Sequence, residues 1–60
     1  MKIETKIGTI KAKKSTLNEL SIICHWASDY AKEKGYDGFT NSWQNISSDI
    51  YNALDEIGYY

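Results

Sequence analysis

The only cysteine and the only histidine of this 60-residue chain are neighbours, Cys24 and His25. A cysteine nucleophile needs an imidazole within hydrogen-bond reach to accept its proton. Adjacent residues of a helix point about 100° apart, so a helical Cys24 and His25 do not reach each other. We therefore expect Cys24 to be a small core residue and His25 to lie on the solvated surface.

The carboxylates supply the other chemistry that the residue types allow. Asp29 and Glu33 are four residues apart and share a helix face, whereas Asp49 and Asp55 are spaced less closely. A general acid needs a pocket that raises its pKa, and so short a chain leaves little material for one. The sequence also has no zinc-type spacing of Cys and His and no glycine-rich phosphate loop. We predict no catalytic residue, no metal site and no cofactor, and we do not expect an enzyme.

The N-terminal residues have the alternation of a β-strand. Polar and apolar residues alternate over residues 2–7, which places Ile3, Thr5 and Ile7 on one face. After Gly8 the apolar positions shift by one residue, to Ile10 and Ala12 in the sequence. A glycine at such a shift indicates a bulge within one strand or a turn between two strands. Both alternatives stay open from the sequence.

Two helices are predicted after the strand region. Thr16 and Glu19 match a capping box, which starts a helix, and Gly35 is a typical C-terminal stop. The sequence predicts a small α+β fold, a single domain spanning residues 1–60. Its elements are a strand or hairpin over 2–13, a helix over 16–34, a structured loop over 35–41 and a helix over 42–57.

The first helix has apolar residues on more than one side. One row is predicted to face the core: Leu17, Leu20, Cys24, Ala27 and Ala31. A second row, Ile22, Trp26 and Tyr30, is displaced by roughly a third to a half of a turn. Either this helix is central, with the strand on one side and the second helix on the other, or the second row faces a partner chain. In the second case the flanking carboxylates are Glu19, Asp29 and Glu33.

The second helix has one apolar stripe and an acidic to polar opposite face. The stripe consists of Trp43, Ile46, Ile50, Ala53 or Leu54, and Ile57. Tyr36, Tyr59 and Tyr60 are expected to stay the most accessible aromatic side chains, and accessible aromatic residues are typical anchors of interfaces. The candidate protein-binding residues are Trp26, Ile22, Tyr36, Tyr59, Tyr60, Asp49, Asp55 and Glu56.

Charge is distributed unevenly along the chain. Residues 1–14 contain five lysines and one glutamate, whereas residues 15–60 contain two lysines and seven acids. A basic segment of this kind binds an anionic partner, or its lysines keep an edge strand soluble and prevent unwanted strand pairing. The nucleic-acid candidates of the first alternative are Thr9, Lys11, Lys13 and Lys14.

The amino-acid composition indicates the kind of organism and the cellular compartment of the chain. Arginine, proline and valine are absent, whereas isoleucine, lysine, tyrosine and asparagine are plentiful, which is typical of AT-rich coding sequences in low-GC bacteria and their phages. A single cysteine fits a reducing compartment, and no apolar run has the length of a membrane span or a signal peptide. We expect a cytoplasmic protein of a bacterial cell or a phage-infected host, with no membrane partner.

The order strand, helix, turn, helix with a lysine-bearing strand resembles the ribbon-helix-helix family of DNA-binding regulators over residues 8–57. The matching residues are Thr9, Lys11 and Lys13 on the outward face, Ile10 and Ala12 on the inward face, and Thr40-Asn41-Ser42. The resemblance implies that two copies pair their strands and insert the ribbon into the major groove. It also implies that Thr40-Asn41-Ser42 starts the second helix and faces phosphate.

Two functions follow from these patterns. The favoured one is a small non-enzymatic protein-binding module, such as a phage or mobile-element inhibitor of a host nucleic-acid-processing or defence protein. The alternative is a dimeric DNA-binding transcriptional regulator. Arginine, the best reader of guanine edges, is absent and the second helix is acidic, which favours a protein partner. A homodimer remains the other kind of assembly that the sequence allows.

Overall fold

The chain folds into an antiparallel β-hairpin followed by two long helices in the computed structural model, which describes residues 1–60. This architecture confirms the predicted α+β class. The elements are β1 (Lys2–Thr5), β2 (Gly8–Lys11), α1 (Lys14–Lys34) and α2 (Asp37–Glu56).

The N-terminal region is a hairpin and not one bulged strand. Ile3 lies opposite Ile10, and Thr5 lies opposite Gly8 across a two-residue turn. The hydroxyl of Thr5 donates to the Gly8 carbonyl oxygen at 2.8 Å and accepts from the Ile7 amide at 3.2 Å. Gly8 has a φ of 123°, which a residue with a Cβ rarely adopts. The apolar positions shift by one residue because the chain reverses here.

Three of the predicted inward positions at the hairpin lie against the core, and Ile7 does not. Ile3 is buried, and Ile10 and Ala12 are partly buried against the same core. Ile7 was expected on the inner face with Ile3, but its side chain is 67% exposed. The reason is that β1 already ends at Thr5, so Ile7 lies in the turn and outside the alternation.

Helix α1 begins earlier than the capping box predicts. Its first residue is Lys14, and the N-cap Lys13 makes no side-chain cap hydrogen bond. The Lys13 carbonyl oxygen accepts from the Leu17 amide at 2.9 Å, so Thr16 already lies inside the first turn and cannot cap it. The predicted C-terminus is confirmed: Gly35 adopts the left-handed conformation with φ 77°.

Helix α2 begins at Asp37, so the predicted loop 35–41 and the predicted start at residue 42 are wrong. The Tyr36 carbonyl oxygen accepts from the Thr40 amide at 2.9 Å, which sets the first helical turn. Asp37 in that turn is favoured by the positive end of the helix dipole. The helix ends at Glu56, one residue before the predicted 57.

The core lies between the helices and the inner face of the hairpin. Its six buried members are Ile3, Leu17, Cys24, Ile46, Ile50 and Leu54. The predicted α2 stripe is therefore buried at its centre only. Trp43 and Ile57, at its two ends, are 36% and 47% exposed because the core does not extend that far.

Small polar residues line the contact between α1 and α2. The Ser47 hydroxyl donates to the Ser21 carbonyl oxygen at 2.9 Å, and the Ser21 hydroxyl lies 3.4 Å from the Ser47 carbonyl oxygen. Nearer the connection, the Ser28 hydroxyl donates to the Thr40 carbonyl oxygen at 3.1 Å. Every buried side-chain oxygen and nitrogen has a hydrogen-bond partner. These bonds fix the register of the two antiparallel helices.

The hairpin packs on α2 and not on α1. Helix α2 contacts both α1 and β1, whereas the backbone of α1 lies close to neither strand. The interpretation that placed α1 between the strand and the second helix is therefore wrong. The row Ile22, Trp26 and Tyr30 lies outside the core.

Neither helix combines the length and the apolar character that crossing a bilayer requires.

We predict different costs for the same substitution on the two sides of the molecule. Ile50 is fully buried, so Ile50→Val is expected to lower the free energy of unfolding by about 0.5–1.5 kcal/mol. Ile22 is exposed, so the matched Ile22→Val is expected to change it by less than about 0.5 kcal/mol. Urea unfolding followed by helical circular dichroism measures both. Equal losses would contradict the placement of the core.

Candidate functional site

The side of α1 that faces away from α2 is the largest unpartnered apolar feature of the helix. It consists of Ile22, Ile23, Trp26 and Tyr30, which we call the outer α1 face. Trp26 follows Leu17 by nine residues, which places it about 180° around the helix from that core residue. The exposed fractions of the four side chains are 44%, 54%, 65% and 60%. Two predicted residues, Ile22 and Trp26, are thereby brought together.

Ile23 belongs to this face although the sequence analysis did not assign it. It lies seven residues before Tyr30 and three before Trp26, so the helical period places all three on one side. That spacing was the signal that could have identified it. The side chains of Glu19, Ile22, Ile23 and Trp26 line a shallow groove of about 260 Å³.

The distribution of side-chain size on α1 explains why this face is open. The side toward α2 buries mostly small residues: Ser21, Cys24, Ser28 and Ala31, with Leu17 at one end. The large side chains lie on the opposite side, which neither the hairpin nor α2 covers. A surface helix normally has charged or polar residues there. In α1 the usual pattern is replaced by two apolar sides.

Carboxylates border the outer α1 face. Glu19 lines the groove at one end, and Glu33 lies seven residues beyond Trp26 at the other. Asp29 lies along one flank, where its Oδ2 atom is 3.6 Å from the Nε2 atom of His25. The one cation in contact with the face is Lys34, whose Nζ atom is 5.6 Å from the centre of the Tyr30 ring. The border therefore has net negative charge.

The other aromatic candidates lie elsewhere on the molecule. Tyr36 is exposed at the connection between the helices, where its ring meets that of Phe39 edge-on at 6.3 Å. At the C-terminus, Tyr60 stacks on Tyr51 at 4.9 Å and meets Tyr59 edge-on at 5.4 Å. These groups do not extend the outer α1 face, so the predicted aromatic candidates do not form one surface.

The terminal tyrosine is held in place by a polar contact. The Tyr60 hydroxyl donates to the Asn18 Oδ1 atom at 2.6 Å, which joins the C-terminus to the first part of α1. Partial loss of water raises the pKa of Tyr60 above its ordinary value, and the neighbouring Tyr51, Tyr59 and Asp55 raise it further. The hydrogen bond to Asn18 and the ring contacts, rather than this pKa, restrain Tyr60.

The acidic candidates belong to α2 and not to the outer α1 face. Asp55 and Glu56 are exposed, and Asp49 is partly buried. They lie on a different helix from Trp26, so the structure divides the predicted protein-binding residues between two surfaces.

The nucleic-acid candidates lie on or next to the hairpin. The Thr9 hydroxyl donates to the Glu4 carboxylate at 2.7 Å, which places an acid in the middle of the outward face. Lys11 lies opposite Lys2 on that face, and Lys13 and Lys14 lie where β2 leads into α1. Thr40-Asn41-Ser42 is inside α2, so it is not the helix start that the ribbon-helix-helix resemblance implies.

The cysteine and histidine are arranged as the sequence analysis predicts. Cys24 is 1% exposed, and burial raises the pKa of its thiol, which disfavours the reactive thiolate. His25 is exposed and contacts Asp29, not Cys24. No group of three or more Cys, His, Asp or Glu side chains is close enough to hold a metal ion. The structure contains no nucleophile and base within reach of each other at this position.

Comparison of the chain with protein-family models, curated proteins and solved structures finds no match.

Cys24 is expected to react slowly with a thiol reagent such as Ellman's reagent in the folded protein. The reaction requires a thiolate, which burial disfavours, so denaturant should accelerate it by at least about tenfold. Because the folded thiol has the higher pKa, its contribution to stability is present below about pH 8.5 and decreases as the pH rises further. Equal rates in the folded and unfolded protein would contradict the buried position.

Proposed function

We propose that this chain is a non-enzymatic protein-binding module that attaches to another protein through its outer α1 face. The observation that supports this most directly is the exposure of four large apolar side chains, Ile22, Ile23, Trp26 and Tyr30, on one side of one helix. Soluble proteins rarely leave contiguous apolar surface open unless it binds something. Tryptophan and tyrosine are also the residue types that dominate binding energy at protein interfaces.

The free energy gained by burying the outer α1 face can be compared with the cost of association. Fully burying a large apolar side chain contributes about 1.5–3 kcal/mol. Each of the four is roughly half exposed already, so covering all four contributes on the order of 4 kcal/mol. Association costs about 4–15 kcal/mol in lost freedom. The apolar surface of this chain alone therefore offsets only the low end of that cost. The partner's own apolar surface and contacts with the charged border contribute the rest.

A module without catalytic groups acts by occupying its partner. In this proposal the chain blocks or holds a surface of a cytoplasmic protein, such as a nucleic-acid-processing or defence protein of a bacterial host that a phage must inhibit. The acidic border supports a nucleic-acid-processing partner, because proteins that bind nucleic acid present basic surfaces. The amino-acid composition is typical of AT-rich genes of low-GC bacteria and their phages and motivates the bacterial setting. DNA binding has weaker support, since Glu4 lies within the hairpin's outward face and Asp37 begins α2.

Site-specific photo-crosslinking tests this function. A photoreactive aromatic amino acid in place of Trp26 is expected to form a covalent adduct with a different protein in the native cell. The same group in place of Asn52, which is exposed on α2, is the matched control and should not form that adduct. Ile23→Glu, on the outer α1 face, should abolish the adduct while the helical circular dichroism is retained.

Three results would contradict the proposal. They are no adduct at position 26, the same adduct at position 52, and an adduct composed of two copies of this chain.

A further inference from the structure

We propose that the outer α1 face binds a basic amphipathic helix of the partner protein. The existence of that partner rests on the proposed function. Its apolar stripe packs on Ile22, Ile23, Trp26 and Tyr30, and its lysine or arginine side chains pair with Glu19 and Glu33.

The spacing along the outer α1 face is that of a helix-pairing seam. Glu19, Ile23, Trp26, Tyr30 and Glu33 follow one another at steps of four, three, four and three residues. That alternation is the one by which two helices interlock side chains along a shared line. Ile22 widens the apolar centre of the seam on one side and helps to line the groove. A second helix can therefore pack along this line of side chains.

The charge of the seam selects the partner. Glu19 and Glu33 lie 14 residues apart, which is about 21 Å along a helix axis. Asp29 adds a third carboxylate on one flank, against the single cation Lys34 beside Tyr30. A partner helix with cations about four turns apart at both ends of an apolar stripe is complementary to this arrangement. Cations at a rim also accelerate association with an acidic surface.

A second copy of this chain fits the seam less well. Antiparallel pairing of two α1 helices about Trp26 would place Glu19 of one copy against Glu33 of the other. Parallel pairing would place each glutamate against its own equivalent. Both arrangements therefore set like charges opposite each other at both ends of the contact, and such juxtapositions cost free energy.

Two synthetic helical peptides provide the test. Both have the same leucine and alanine stripe over about three heptads, and they differ only in lysine or glutamate at the flanking positions. The protein variant Trp43→Phe leaves Trp26 as the only tryptophan, so its fluorescence reports binding at the face. At low salt we expect the lysine peptide to bind at least about tenfold more tightly than the glutamate peptide.

Charge reversal in the protein completes the design. Glu19→Lys with Glu33→Lys is expected to reverse the peptide preference. Asp55→Lys with Glu56→Lys makes the same change in net charge on α2 and is the matched control, which should leave the preference unchanged. Helical circular dichroism establishes that each variant is folded.

Several results would overturn the inference: no binding of either peptide, equal affinity for both, or a preference that the reversal at positions 19 and 33 does not change. A dimer in sedimentation equilibrium that Trp26→Ala dissociates would also overturn it. If crosslinking at position 26 still captures another protein, the binding face stands and only the partner's chemistry is wrong. If crosslinking also fails, the proposed function fails with it.

Discussion

The contact between α1 and α2 is the interaction on which the rest of the structure depends. Serine hydroxyls bonded to carbonyl oxygens across the two helices, with Ser21 paired to Ser47 and Ser28 to Thr40, hold them at a fixed register. A 60-residue chain can bury only about 60% of the surface that it exposes when unfolded. Helix α2 lies against both α1 and β1, and none of the four elements covers the other side of α1. The outer α1 face is the result.

Large hydrophobic side chains are exposed more often than apolar residues are buried in this domain. Seven apolar residues are buried, whereas twelve large hydrophobic residues are exposed. The residues that hold the fold together are thus fewer than the large apolar ones left in contact with water. This distribution suits a chain whose stability increases when a partner binds, because any ligand of the native state stabilises it by mass action.

Much of the fold could be predicted from the sequence because local patterns determine it. The stop at Gly35, the burial of Cys24 and the buried centre of the α2 stripe all follow from helical period and capping chemistry. The start of α2 could not be predicted in this way. Asp37 and Gly38 are turn formers, but here they occupy the first turn of a helix, where an acid is stabilised and a glycine is tolerated.

The candidate site was predictable only in part. The helical period placed Ile22, Trp26 and Tyr30 in one row, yet whether another element covers that row depends on tertiary packing. The structure answers this by placing the hairpin against α2. The contacts that define the border, between His25 and Asp29 and between Lys34 and Tyr30, arise from spacings of four residues. These contacts could be assigned to the border of a binding surface only after the structure showed that the outer α1 face is exposed to solvent.

Helix α1 presents Trp26 to solvent and packs on α2 through its other side. Nuclear Overhauser measurements on the isolated protein test this arrangement. We expect the Trp26 indole protons to contact only residues of α1, whereas Leu17 and Cys24 contact side chains of α2 such as Ile50. Contacts from the Trp26 ring to α2, to the hairpin or to a second copy of the chain would contradict it.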